Sequence, residues 1–283
     1  MSYPLILTDN AAFFVQPQFR GRNFLQVLPL DISFRNTVFS GGKDLKPADL
    51  PQGSQPEDKP ELIIPSASAL ANLFLDLSQK HSEIICVFHS GFLSPLCERA
   101  REAAETIMGR SQIEIIDSQT ISSGQGLIVQ STAELFSDNL PITEVARQVR
   151  IFINHTFSVF CIPGLSYLNT PGFVDIGQAG ASELLGLVPI FALEEGRLTP
   201  LEKLRSQRQT IDFFQEYMDE FDRMRYIAWV KGISSTAHES RLLHDHANTN
   251  YPHIPFFENP IHPHMAILFG PSASGLFVVE SPD

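Results

Sequence analysis

Short apolar runs separated by longer helical patterns organise the first half of the chain. Strand-forming residues cluster at 4–8, 24–34, 83–88 and 113–116. Apolar residues recur with helical spacing at 66–80, 94–108, 127–136 and 143–154. Ser66 or Ser68 is the predicted N-cap of the first of these helices, and Thr143 is that of the last. Strands alternating with helices predict a doubly wound parallel α/β sheet, which we assign to a domain of residues 1–156.

The pattern changes after residue 156, where strands follow one another more directly. Strand-like runs lie at 157–162, 189–193, 197–204, 226–230, 265–269 and 275–279. Residues 194–197 have the composition of a hairpin turn. Helices are predicted at 179–187 and 206–223. This order is typical of an α+β domain with a mostly antiparallel sheet, which we assign to residues 157–283. The proline-rich stretch 41–65 is predicted to be an exposed excursion from the first domain.

Composition narrows the classes of function. The 283 residues carry a net charge of -12, which argues against nucleic acid and anionic membrane surfaces as partners. Three cysteines without metal-type spacing indicate free thiols, and no window approaches roughly 18 uninterrupted apolar residues, so we expect a cytoplasmic protein without stable membrane insertion. The 22 phenylalanines indicate either a Phe-rich core or an apolar cavity.

The most specific motif is at 117–126, which reads Asp-Ser-Gln-Thr-Ile-Ser-Ser-Gly-Gln-Gly. It follows the predicted strand 113–116, where a strand would pass into a helix. Hydroxyl side chains and bare backbone amides at such a corner commonly face a ligand in α/β proteins. Turn chemistry alone also produces Gly/Ser-rich junctions, so the motif needs support from other parts of the chain.

That support is a resemblance in order and spacing. The motif resembles the signature Asp-Ser-Lys/Gln-x-x-Ser-x-Gly-Gln-Gly of the DegV family of bacterial fatty-acid-binding proteins. Similar family motifs occur at 6–10, at 90–94 (Ser-Gly-Phe-Leu-Ser), at 167–168 and 189–190 with the family spacing, at 200–205 (Pro-Leu-Glu-Lys-Leu-Arg) and at 270–276. The chain is therefore identified as a divergent member of this family over nearly its whole length.

The resemblance implies a two-domain fold with one fatty acid in an apolar tunnel between the domains. Hydroxyl, amide and histidine groups would hold the carboxylate at the mouth of the tunnel. Some family members present that carboxylate to a fatty-acid kinase, so the expected partners are a long-chain fatty acid or other lipid and a kinase-like protein. The binding protein has no catalytic machinery of its own, and neither a cofactor nor a metal is expected.

The chain departs from the family where the carboxylate would be held. The family's threonine, second serine, histidine and arginine fall on Leu62, Gly91, Leu268 and Phe173. A carboxylate removed from water needs charge-assisted hydrogen bonds, so the hypothesis is an apolar chain with a less acidic or uncharged head. The predicted ligand-binding positions are Ser66, Ser90, Gly91, Ser94, Ser122, Gly124, Phe173, Leu268 and Gly270.

Two other functions stay open at this point. The chain could act through protein contacts, with bulky phenylalanines closing its cavity. It could also be a metal-dependent enzyme, because six histidines lie between residues 238 and 264. The prolines of that segment and the lack of a His-Glu-x-x-His motif favour a polar surface loop instead.

Nucleophilic catalysis is not predicted. His89 beside Ser90 suggests a base and a nucleophile, but adjacent residues at a strand end point to opposite faces. Asp9 and Asp117, each at the end of a predicted strand, are expected to cap the turns that follow. No catalytic residue is therefore assigned.

Overall fold

A four-stranded parallel sheet forms the first half of the protein in this computed structural model, which describes residues 4–53, 59–107, 109, 111–168 and 186–281. Its strand order is β2-β1-β6-β7, with every neighbouring pair parallel. The predicted parallel sheet is confirmed, and 83–88 is a central strand. The strands are β1 (Leu5–Asp9), β2 (Leu25–Leu28), β6 (Glu83–Phe88) and β7 (Gln112–Asp117).

Helices cover both faces of this sheet, as the alternation of side chains along β1 requires. Leu5 and Leu7 pack with α1 and α2, whereas Ile6 faces α3 and α4. The helices are α1 (Ala67–Ser78), α2 (Leu96–Thr106), α3 (Ser122–Ser137) and α4 (Ile142–Ile153). Ser66 caps α1 as predicted, but α4 begins after Pro141, so the predicted cap at Thr143 is wrong.

A small antiparallel sheet, in the order β4-β3-β5, lies beside the parallel one. Its strands are β3 (Asp31–Phe34), β4 (Thr37–Phe39) and β5 (Glu61–Ile63). The single strand predicted at 24–34 is wrong, because Pro29 and Leu30 separate β2 from β3. The stretch 41–65 is also less exposed than predicted, since Leu45 and Leu50 are buried in the core.

The second half contains a six-stranded sheet in the order β10-β9-β8-β13-β11-β12. Only the pair β11/β12 is parallel, so the mostly antiparallel prediction is confirmed. The strands are β8 (Thr156–Cys161), β9 (Val188–Glu194), β10 (Arg197–Leu204), β11 (Met224–Lys231), β12 (Phe256–Pro260) and β13 (Ser274–Glu280). The helices are α5 (Gln207–Asp219), α6 (Ala237–Asn250) and α7 (Pro263–Phe269).

Three elements of this half differ from the prediction. Residues 265–269 lie in the helix α7 and not in a strand. The sequence patterns missed α6 and β12 altogether. The helix predicted at 179–187 lies almost wholly outside the described residues.

Helix α3 joins the two large sheets. Thirteen of its residues are buried, and it contacts β1 and β6 on one side and β8, β11 and β13 on the other. One hydrophobic cluster consequently runs from Ile6 through Leu127 to Phe277. The helix begins at Ser122, so the glycine-rich corner predicted to precede it forms its first turns. Among the described residues, no helix has the length and apolar character needed to cross a bilayer.

Candidate functional site

A fully buried carboxylate, Asp9, organises the carboxyl edge of the parallel sheet. Its Oδ1 accepts a hydrogen bond from the Ala11 amide at 2.9 Å, and its Oδ2 accepts from the His89 amide and from Nε2 of Gln125, both at 2.9 Å. Burial alone would raise the pKa of Asp9, but the charge and hydrogen bonds of His89 and the Ala11 amide outweigh it and the pKa is lowered. Asp9 therefore caps the following turn, as predicted, and also fixes the end of β6.

The side chain of His89 connects this carboxylate to a serine. Its Nδ1 lies 3.0 Å from Oδ1 of Asp9, a close contact that is not aligned as a full hydrogen bond. Its Nε2 lies 2.6 Å from Oγ of Ser94, just before α2. The tautomer of the ring sets which of the two atoms, Nε2 of His89 or Oγ of Ser94, donates in this contact.

The sequence of groups Asp9, His89 and Ser94 has the order of a hydrolytic triad, in which histidine takes the proton of a serine nucleophile. Such a serine also needs N–H donors for the oxyanion. The residue after Ser94 is Pro95, which has no N–H, and the amide of Leu96 is directed at Ser94 Oγ itself, at 3.3 Å. The backbone after Ser94 thus lacks the N–H donor that α/β-hydrolases place directly after the nucleophile.

Ser94 lies on the wall of a cavity of about 260 Å³ at the junction of the two halves. The opposite wall comes from the second half, from Tyr167, Leu168 and the end of α7. Oη of Tyr167 donates a hydrogen bond to the carbonyl oxygen of Pro51 at 2.6 Å, and burial raises its pKa to about 12. Most of the wall is apolar: Leu62, Ile64, Leu93, Leu168, Ile267 and Leu268.

One charged pair reaches this smaller cavity. Lys59 and Glu61 lie on its wall, next to Leu62 of β5. Burial lowers the pKa of Lys59, and the Coulombic effect of Glu61 opposes that shift. The two charges therefore offset one another at the rim.

A larger cavity of about 610 Å³ lies mainly in the second half, next to the six-stranded sheet and α5, and Gln52 and Gly53 of the first half also line it. Its inner wall includes Cys161, Phe214 and Trp229, and Arg205 and Ser272 also line it. The indole nitrogen of Trp229 is buried without a hydrogen-bond partner within the described structure. Both cavities have walls that are mainly apolar, as expected of sites for apolar ligands.

Two of the predicted ligand-binding residues line the smaller cavity, and a third, Gly270, lies next to its wall residue Tyr167. Ser94 and Leu268 line it. Gly270 ends α7 with a φ of 91°, and a Cβ there would lie 3.1 Å from the ring of Tyr167. Leu62, the position of the family's threonine, is also on the wall.

Four others, three of them buried and Gly91 partly buried, are already bonded or packed. Ser90 is fully buried and donates its hydroxyl hydrogen to the Gly196 carbonyl at 2.6 Å. The Gly91 amide donates to Asp117 Oδ2 at 3.0 Å. Ser122 Oγ lies 3.1 Å from Nε2 of His262, and a Cβ at Gly124 would lie 2.6 Å from Thr120 Oγ1. Ser66 is exposed and occupied as the cap of α1, and Phe173 lies outside the described residues.

Most histidines of residues 238–264 do not lie in the predicted polar surface loop. His238, His244 and His246 lie on α6, His262 is partly buried and His264 buried at the start of α7, and His253 lies in an exposed turn. Burial, and next the nearby His264, lower the pKa of His262 to about 3. No group of three or more metal-binding side chains occurs within the described ranges.

The contact between His89 and Ser94 was missed by sequence reasoning, which compared His89 only with its neighbour Ser90. A signal was present, because Asp9 and His89 follow adjacent parallel strands. The carboxyl ends of such strands lie at the same sheet edge. The pairing of β1 with β6 makes this edge common to both residues.

The fold and the site define a class of two-part α/β proteins. A parallel sheet is joined through a buried helix to a mixed six-stranded sheet, and a small apolar cavity lies at the junction. The chain belongs to the DegV family: a family model described as an uncharacterised protein of the DegV family matches residues 5–281.

Relatives agree over nearly the full length. The chain is 21% identical over 267 residues to protein DegV of Bacillus subtilis, covering 90% of this chain and 91% of that protein. A fatty-acid-binding DegV family protein of Streptococcus agalactiae has a TM-score of 0.85 at 16% identity, covering 100% of both chains. The Streptococcus pneumoniae fatty acid kinase B3 protein, solved with linoleic acid, has a TM-score of 0.82 at 16% identity, covering 99% of this chain and 100% of that one. At these identities the structural likeness establishes the fold.

Proposed function

We propose that this protein is a non-enzymatic lipid-binding protein that holds a long apolar chain between a domain of residues 1–156 and a domain of residues 157–283. The observation that carries the proposal is the apolar cavity at their junction, with Leu62, Leu268 and Ser94 on its wall. The resemblance to a fatty-acid-binding DegV family protein and to a protein solved with linoleic acid supports it. Ser94, Leu268 and Gly270 are the positions we expect to contact the ligand.

The absence of catalysis is part of the proposal. Pro95 deprives Ser94 of the neighbouring N–H that an acyl-transfer serine uses. Ser94 therefore acts as a polar contact in a binding site. The similarity to a fatty acid kinase B3 protein supports a kinase-like protein as a partner. The three buried, unpaired cysteines suit a reducing compartment, and we place the protein in the cytoplasm.

Lipid occupancy is tested by purification without detergent, followed by native mass spectrometry and analysis of the extracted ligand. We expect one lipid per chain. The variant Leu268→Trp, which fills the smaller cavity, should lose most of that lipid, whereas Val38→Trp, on an exposed strand position, should keep it. Wild-type protein that stays empty when offered a range of lipids would refute the proposal and favour a function through protein contacts.

A further inference from the structure

We propose that Tyr167 determines the length of the apolar chain that this protein accepts, because its side chain stands between the smaller and the larger cavity. The inference rests on the proposed function and names the residue that selects among lipids at the same site. The head of the lipid lies in the smaller cavity, and a long chain continues past Tyr167 into the larger cavity.

The volumes of the two cavities call for such a passage. Pockets for small organic ligands typically measure roughly 300–1,000 Å³. The smaller cavity, at about 260 Å³, lies below this range and has room for a head group and the first part of a chain. The larger cavity, at about 610 Å³, lies within the range, and Phe214 and Trp229 give it an apolar inner wall.

The side chain of Tyr167 reaches from one cavity wall to the other. It lines the smaller cavity and is 1% exposed. At its far end, Oη donates a hydrogen bond to the carbonyl oxygen of Pro51 at 2.6 Å. The two residues that follow Pro51, Gln52 and Gly53, line the larger cavity. The hydroxyl of Tyr167 is therefore bonded to the segment that forms the wall of the other cavity.

The ring of Tyr167 also packs against the segment that follows α7. A Cβ at Gly270 would lie 3.1 Å from the ring, so the ring lies directly against the backbone there. Two residues before Gly270, Leu268 lines the smaller cavity, and two residues after it, Ser272 lines the larger one. This segment thus passes from one cavity to the other at the point where it meets Tyr167.

The hydrogen bond to Pro51 holds this partition closed. A chain that enters the larger cavity must displace the ring, so its apparent affinity is reduced by the fraction of molecules in which the ring is displaced. Loss of one neutral hydrogen bond should raise that fraction about fivefold. A chain short enough for the smaller cavity leaves the ring in place and is insensitive to this bond.

The experiment uses Trp229, the one tryptophan of the sequence, as a reporter on the wall of the larger cavity. Full-length, delipidated protein is titrated with ω-bromohexadecanoic acid and ω-bromooctanoic acid and with the corresponding alcohols, so that the head group does not decide the outcome. Bromine quenches indole fluorescence on contact. We expect the hexadecyl probes to quench Trp229 and the octyl probes to leave it unquenched.

Tyr167→Phe keeps the ring and removes the hydrogen bond to Pro51. It should tighten binding of the hexadecyl probes about fivefold and leave the octyl probes unchanged. Tyr251→Phe is the matched control. It removes a hydroxyl that also donates at 2.6 Å, to Oδ1 of Asp219, at a position that lines neither cavity, and should keep wild-type affinities.

A second variant covers the case in which Tyr167→Phe does not fold. Val188→Phe adds a ring to the wall of the larger cavity and should weaken the hexadecyl probes by at least about tenfold without changing the octyl probes. Val38→Phe, the same substitution at an exposed strand position, should leave both unchanged.

The outcomes separate this inference from the proposed function. If the hexadecyl probes bind without quenching Trp229, if the octyl probes quench it as strongly, or if neither Tyr167→Phe nor Val188→Phe changes the chain-length preference, lipid binding stands and the role of Tyr167 is wrong. If no probe binds, both the inference and the lipid-binding function are wrong.

Discussion

Four titratable residues are packed together at the carboxyl edge of the parallel sheet: Asp9, His89 and His264, which are buried, and His262, which is partly buried. Asp9 retains its charge because three N–H groups donate to it. The two later histidines have no comparable anion in direct hydrogen-bond contact: His262 meets the Ser122 hydroxyl and His264 meets the Leu30 carbonyl. Their neutral forms are therefore favoured in the folded protein.

Because the folded protein favours the neutral form of both histidines, we expect it to lose stability in mild acid. Burial lowers the pKa of both His262 and His264, that of His262 to about 3, while in the unfolded chain histidine titrates near 6.5. Below pH 6.5 the unfolded state takes up protons that the folded state does not, so the free energy of unfolding falls as the pH decreases. We expect a slope of up to about 1.4 kcal/mol per pH unit per histidine.

Urea unfolding at pH 7.5, 6 and 5 measures this slope. His262→Leu should make it shallower, and His238→Leu, at an exposed position of α6, should leave it unchanged. An identical slope in wild type and His262→Leu would show that His262 does not carry the effect.

At the scale of elements, the close approach between α3 and the segment after β1 depends on a glycine. A Cβ at Gly126 would lie 1.9 Å from the carbonyl oxygen of Phe13. The amide of Phe13 also donates to the Ser122 carbonyl, and the amide of Ser122 donates to Ala11, both at 3.0 Å. Helix and segment are thus held at a distance that excludes a side chain.

We therefore expect Gly126→Ala to destabilise the protein by roughly 2–4 kcal/mol, because overpacking displaces backbone that hydrogen bonds hold in place. Gly53→Ala is the matched control, since the nearest atom to its Cβ would be Ser166 Oγ at 3.7 Å. Chemical denaturation measures both changes. Equal stabilities of the two variants would mean that α3 moves away from Phe13 without cost.

Whether a segment is helix or strand was predictable where its apolar residues recur with a clear period. The prediction was wrong or missing where they do not. The run 265–269 is apolar and short, and such runs do not distinguish a strand from a helix. Pro263, in the first turn of α7, favours the helix. Helix α6 is mostly polar, with Glu239, Leu243 and Ala247 buried, so it lacks a broad apolar stripe. Its capping box, formed by Thr236 and Glu239, was the available signal.

At the scale of the whole molecule, the shared core across α3 predicts cooperative unfolding. Trp229, the one tryptophan of the sequence, is buried in the six-stranded sheet and reports on the second half. Far-ultraviolet circular dichroism reports on both halves. Because Ile6, Leu127 and Phe277 belong to one cluster, we expect the two signals to give the same midpoint in urea.

A tryptophan transition that is separated from the circular dichroism transition would contradict this shared core and would favour independent units. The sequence predicted the parallel sheet and the mostly antiparallel sheet because their strand patterns differ. It did not predict that α3 packs against both of them, since contacts between distant segments leave no periodicity of their own. Leu62 and Leu268, which line the smaller cavity, were singled out by alignment of motifs, whereas the contact between His89 and Ser94 depends on the folded sheet edge.

The enclosure of α3 also constrains how proteins of this construction can diverge. A helix with thirteen buried residues belongs to neither half alone, so exchanging one half for that of a distant relative would bring together surfaces that were never selected to fit. We therefore expect such an exchange to unfold the protein, whereas Leu62 and Leu268 on the wall of the smaller cavity lie outside α3 and can be replaced without changing the shared helix.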